Sequence, residues 1–184
     1  MPQRESLDVV TTRCPGCSAC FPESAGPTHP YMESSPGCWA AYGAVLAREY
    51  SDSAYFDIHR LGVDAYAVQH PGRPSRQSIQ SVGVHLVRLC LVLEHGLSPE
   101  RSNAAMLAAA KHKHTYTWLE PPDSRGPITV ADVIGTQTVD AHKQAVRAWA
   151  ACAWQAWSIH HDSVRGWLSQ VDNTLKPHLV RGSH

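Results

Sequence analysis

The chain has 184 residues, of which 43% are hydrophobic and 17% charged. That is enough apolar material for one packed domain, and it excludes wholesale disorder. Sixteen basic residues balance sixteen acidic ones, so the chain lacks the basic excess with which a nucleic-acid binder neutralises phosphates.

The first 13 residues, MPQRESLDVVTTR, are polar and carry no apolar run of the secretory-signal kind. The most apolar stretch, residues 82–93, is interrupted by His85 and Arg88. It is also shorter than the roughly 20 residues that cross a bilayer. A cytoplasmic protein with no membrane partner is expected. Residues 14–37 are rich in Pro, Gly and Ser and show little periodicity. Such a segment buries little apolar surface alone, and a bound metal is the obvious tie. The expected organisation is an irregular metal-binding leader over residues 1–37, packed on a helical domain over residues 38–180.

Regular structure begins with Ser35 as N-cap and Pro36 in the first helical position. The first helix runs to about residue 50, with Trp39, Tyr42, Val45 and Leu46 as its apolar stripe. Ser51 or Asp52 caps a second helix, about 53–69, which stops at His70-Pro71-Gly72. A third helix, about 76–94, is apolar nearly all round and should be central. Ser98-Pro99 opens a fourth, to about Lys111, and a loop follows over residues 112–127. Thr129 and Asp132 form a candidate capping box for a short helix. A long helix, about 139–160, places Val146, Trp149, Ala153 and Trp157 on one face, and a last helix covers about 163–171. No strand is evident, so the fold class is all-α, a helical bundle.

Four of the six cysteines fall within the first 38 residues. Cys14-Pro15-Gly16-Cys17 is a knuckle whose tight turn can aim two thiolates at one ion. Zinc takes four Cys or His ligands in a tetrahedron. Cys38 would stand at the third position of the first helix, where the positive end favours a thiolate. The first choice of ligands is Cys14, Cys17, His29 and Cys38, with Cys20 the rival to His29. The run Cys14-x2-Cys17-x2-Cys20 also matches the start of a ferredoxin pattern, which makes an iron–sulfur cluster the alternative to zinc. Cys90 and Cys152 lie in apolar helical patterns and are expected to be buried and inert.

His59, Val63, Tyr66 and His70 share one face of the second helix, and His85 lies in an apolar stretch of the third. Counted outward from their short connection, His59 and His85 stand at nearly the same height. Two facing imidazoles in an apolar setting could bind a second metal or act as a general base and its partner. Packing histidines are the competing explanation.

The segments Cys-Pro-Gly-Cys, Gly-Pro-Thr-His-Pro-Tyr-x3-Ser-Pro-Gly-Cys-Trp, His-Arg-Leu-x-Val-Asp-Ala-Tyr-Ala-Val-Gln-His-Pro-Gly, Ser-Ile-Gln-Ser-Val-x-Val-His-Leu and Trp-Leu-Glu-Pro-Pro together resemble an uncharacterised bacterial family of unknown function. The resemblance runs from about Cys14 to Leu168 and implies no activity. It implies that Cys14, Cys17, His29, Cys38, His59, Asp64, Tyr66, Gln69, His70 and His85 belong to the family's motifs, and that Cys20 does not.

The function expected from these features is a zinc-binding enzyme acting on a small-molecule substrate. His59 and His85 would do acid–base or ligand work, and Asp64 and His70 would orient them. The alternative is a non-catalytic zinc-stapled module that binds a ligand or partner through segments such as Trp118–Pro122.

Overall fold

The computed structural model describes residues 10–169. The end expected for the last helix, residues 170–171, and the remainder of the body to residue 180 lie outside that range.

Seven α-helices make up the body among the described residues: α1 Pro36–Ser51, α2 Phe56–Gln69, α3 Arg76–Leu93, α4 Pro99–Ala110, α5 Val130–Ile134, α6 Val139–Ala156 and α7 His161–Ser169. The predicted caps Ser35 and Ser98 hold, and Ser75 and Thr138, not singled out from the sequence, cap α3 and α6 in the same way. Ser35, Ser75, Ser98 and Thr138 each accept a backbone N–H from the first turn of the helix they precede. Thr129 and Asp132 form the reciprocal capping box of α5. α2 begins three residues later than expected, because residues 53–55 close as a 3₁₀ turn on the Asp52 side chain. The long final pattern is likewise divided. α6 ends at Ala156, a 3₁₀ turn covers Ser158–His160, and α7 starts at His161.

Two short strands qualify the expectation of a strandless chain. β1 (Thr11–Arg13) and β2 (Cys20–Pro22) pair antiparallel, with Thr12 opposite Phe21 and Arg13 opposite Cys20. Each has three residues, too few to show a period of two in the sequence. The turn that joins them is the cysteine knuckle.

α3 is the central helix, packed against α2, α4, α6 and α7. Its residues Leu86, Val87, Leu89, Cys90 and Leu91 are fully buried, as expected of a helix that is apolar on most faces. α2 also packs on α6, and α1 packs on α2 and α5. The predicted α6 stripe of Val146, Trp149, Ala153 and Trp157 is entirely buried. No described helix is long and apolar enough to cross a membrane.

Candidate metal centre

Three separate segments bring four side chains to one point. The β1–β2 turn supplies Cys14 and Cys17, the first turn of α1 supplies Cys38, and the C-terminal cap of α2 supplies His70. Their ligand atoms all lie within 4.8 Å of one another, and all four residues are buried. Cys14 Sγ and Cys38 Sγ are each 3.4 Å from His70 Nε2, and the Cys17 and Cys38 sulfurs are 3.8 Å apart. Bonds of about 2.3 Å to sulfur and about 2.0 Å to nitrogen around a tetrahedral ion imply S···S edges of about 3.8 Å and S···N edges of about 3.6 Å. The three edges given above are close to those values.

Local chemistry sets each ligand. Ser18 takes a left-handed φ of 66° and donates its N–H to Cys14 O at 2.9 Å, closing the knuckle. Gly16 lies flat against the His70 ring and the Glu33 carbonyl, so a side chain there would overlap both. Ser35 works twice. Its side chain caps α1 by accepting from Cys38 N–H at 3.2 Å, and its own N–H donates to Cys14 Sγ at 3.4 Å. His70 is aimed by its own helix, since Nδ1 donates to Tyr66 O at 2.7 Å. A carbonyl can only accept, so the proton is fixed on Nδ1 and Nε2 presents its lone pair to the sulfurs. Pro71 then ends α2. Gly72, at φ 70°, lets the chain pass against the Tyr31 carbonyl.

The electrostatics call for a cation. Hydrogen bonds from Cys17 and Cys38, and the neighbouring His70, hold the Cys14 thiol well below the usual thiol range. The same contact with Cys14 pushes Cys17 up to about 11 and Cys38 further still, and burial adds to both. One sulfur alone ionises easily here. All three can do so together only around a positive ion.

A hydrogen-bonded chain anchors the knuckle to the core. Arg125 Nη1 donates to Gly16 O at 2.6 Å and Pro15 O at 3.1 Å. Gln69 Nε2 in turn donates to Arg125 O and Ile128 O, at 2.9 and 2.8 Å, and its Oε1 accepts from the buried Trp149 indole at 2.7 Å.

His29, the first choice for the fourth position, lies outside the cluster. Its half-buried ring packs edge-on to Tyr31 and Trp39, at centroid distances of 4.3 and 5.2 Å. Cys20, its rival, is exposed on β2. The position goes to His70, a residue expected to work with His59, Asp64 and His85 instead. His29 is separated from the cysteines because its segment turns outward over Trp39. His70 reaches them because the helix stop places it at the end of α2 facing the knuckle.

The other three residues of that group meet elsewhere. His59, Asp64 and His85 line a cavity of about 310 Å³ together with Tyr50, Arg60, Val63, Val84, Arg88 and Met106. His85 Nδ1 bonds Asp64 Oδ1 at 2.8 Å, and Arg88 Nε lies 3.2 Å from Asp64 Oδ2. His59 Nδ1 bonds Glu49 Oε2 at 2.7 Å, and the other oxygen of Glu49 bonds His142 Nε2 at 2.8 Å. Both carboxylates are 1% exposed. Burial raises the Asp64 carboxyl above the usual range, and His85 and Arg88 recover part of that shift.

Glu49, His142 and Arg88 escaped the sequence reading. The first two carried a signal. Cys38, Tyr42, Val45 and Glu49 form one buried stripe of α1, and His142, Val146 and Trp149 form one of α6. A charged or imidazole residue on an otherwise apolar stripe asks for a buried partner.

A second described grouping, Cys90, Glu94 and His95, is less suited to an ion. Arg165 already holds Glu94 through two hydrogen bonds, at 3.0 and 2.7 Å, and burial pushes the Cys90 thiol up to about 12.

Fold and site define an α-helical protein with a buried Cys₃His cluster that could hold a metal ion. The chain belongs to the family of unknown function DUF5946, whose model matches residues 12–158. No curated protein and no solved structure matches it.

Proposed function

We propose that this protein is a zinc-stapled helical enzyme of small-molecule metabolism, with proton-transfer chemistry in the cavity between α2 and α3. The observation that carries the reading is the pairing of two cavity-lining imidazoles with two buried carboxylates, through Nδ1 in both cases. A carboxylate behind a histidine fixes the ring and its tautomer, and leaves Nε2 to meet a substrate. Nε2 of neither ring makes a hydrogen bond among the described residues. One Nε2 would take a proton from the substrate and the other would return one. Asp64 positions His85 and Glu49 positions His59. Val63, Val84 and Met106 supply apolar wall.

Zinc is the metal we assign to Cys14, Cys17, Cys38 and His70. Three sulfurs and one imidazole in a closed tetrahedron suit zinc. The usual iron–sulfur cluster takes four cysteines, and the exposed Cys20 lies away from the group. With four protein ligands, the ion's contribution is to tie the knuckle, α1 and α2 together. Thiolate ligands and six free cysteines suit a reducing compartment, and we place the protein in the cytoplasm.

The test is to incubate the zinc-loaded protein with a small-molecule cell extract and follow every compound by mass spectrometry. The wild type should deplete one compound and accumulate its product. H59Q and H85Q should each be slower by about 100-fold or more, with zinc content unchanged. No depletion, or full activity in both variants, would overturn the catalytic reading. A zinc-stapled binding module is the second reading, favoured by the closed ligand set and by the half-buried Trp118, Pro121 and Pro122 beside Arg125.

A further inference from the structure

We propose that the His59–His85 cavity takes a small molecule bearing a compact oxyanion, a carboxylate or a phosphate, seated on Arg60 and Arg88. The inference rests on reading that cavity as a ligand site.

Two guanidinium groups share its lining with the two imidazoles. Arg60 follows His59 on α2, and Arg88 lies one turn beyond His85 on α3. Arg88 is only 5% exposed. It is ion-paired with Asp64, yet neither Arg88 Nε nor Asp64 Oδ2 makes a hydrogen bond. A guanidinium offers five N–H donors, so the Arg88 fork has capacity to spare for a planar or tetrahedral oxyanion.

The lining is unsuited to a cation. Asp64 is its sole carboxylate and is 1% exposed; one oxygen bonds His85 and the other faces Arg88 as an ion pair, so its charge is already balanced. A wholly apolar ligand would leave two guanidinium groups facing hydrocarbon, which is costly. The half-buried side chains Val63, Val84 and Met106 complete the wall and would contact the apolar part of such a molecule. An oxyanion on the arginines therefore fits the lining best. It would bring the adjoining part of the molecule to the two imidazoles.

The test is an NMR titration of zinc-loaded, full-length protein, followed through the imidazole resonances of His59 and His85. Inorganic phosphate and malonate are the two anionic probes. Sodium chloride at matched ionic strength and neutral malonamide are the controls. At least one anion should shift both imidazoles saturably, and the controls should not. The anion that saturates separates phosphate from carboxylate as the natural head group. R60Q, at an exposed position, should weaken binding by about 10-fold. R88K, which keeps the charge on Asp64 but loses the planar fork, should weaken it similarly. No saturable shift with either anion, or unchanged affinity in R60Q, would overturn the proposal. Saturable anion binding without turnover of any compound would leave this inference standing and sink the catalytic one. Turnover of a neutral compound without anion binding would do the reverse.

Discussion

Removing the metal with a chelator, or replacing Cys38 by alanine, should lower the melting temperature by about 10–20 °C. Structural zinc contributes on the order of 10 kcal/mol of binding free energy in small zinc-binding domains. Part of that is offset here, because Phe21 is buried against α1 and Arg125 holds the knuckle independently. A net loss of roughly 5 kcal/mol remains, and at about 2–4 °C per kcal/mol for a chain of this size it gives the stated drop. The loss should be uneven. Amide exchange should rise over the β1–β2 hairpin and the first turn of α1, which carry three of the four side chains of the cluster, and change least in α3. Calorimetry and hydrogen exchange on protein with and without zinc would check both parts. Identical melting curves would mean that the cluster bears no metal-dependent load.

Trp149→Ala should cost about 3–5 kcal/mol, measured by urea denaturation. Trp149 is fully buried on α6, stands edge-on to Tyr66 at 6.4 Å, and donates to Gln69. Truncation opens a cavity at the α2–α6 contact and leaves Gln69 Oε1 buried without its donor. W149F narrows the comparison, because it keeps an aromatic ring in most of the space while losing three ring atoms, the N–H among them. Its cost should be about 2–4 kcal/mol, that of one orphaned acceptor plus a smaller cavity than alanine leaves. Gln69 also holds the Arg125 and Ile128 carbonyls. Both variants should therefore hasten zinc loss to a competing chelator, although Trp149 touches no ligand. Equal stability of W149F and wild type would remove Gln69 from that chain.

The helices were legible because their caps and stripes are local. Ser35, Ser98 and the Thr129–Asp132 box act within their own turns, and the α6 stripe repeats with the helical period. The knuckle was legible for the same reason, as two cysteines three apart can meet without help from the rest of the chain. Cys38 was readable from its place in the first turn of α1. The fourth ligand was not, because His70 lies 56 residues from Cys14, and only the packing of α2 against the leader brings them together. His29 was nearer in sequence and lies farther from the site. The carboxylates show the same division. Asp64 is close to His59 in sequence and pairs with His85 on the facing helix. Glu49 reaches His142 across 93 residues, a contact that no spacing rule reveals. The periods mark which side chains are buried, and tertiary packing decides which of them meet.

Elemental analysis of the wild type beside H70A and H29A decides whether Cys14, Cys17, Cys38 and His70 hold one zinc ion. The wild type and H29A should each carry one zinc per chain, and H70A well under half of that after dialysis against a mild chelator. A zinc-free wild type, or zinc lost in H29A and kept in H70A, would mean that these four side chains are not the ligands.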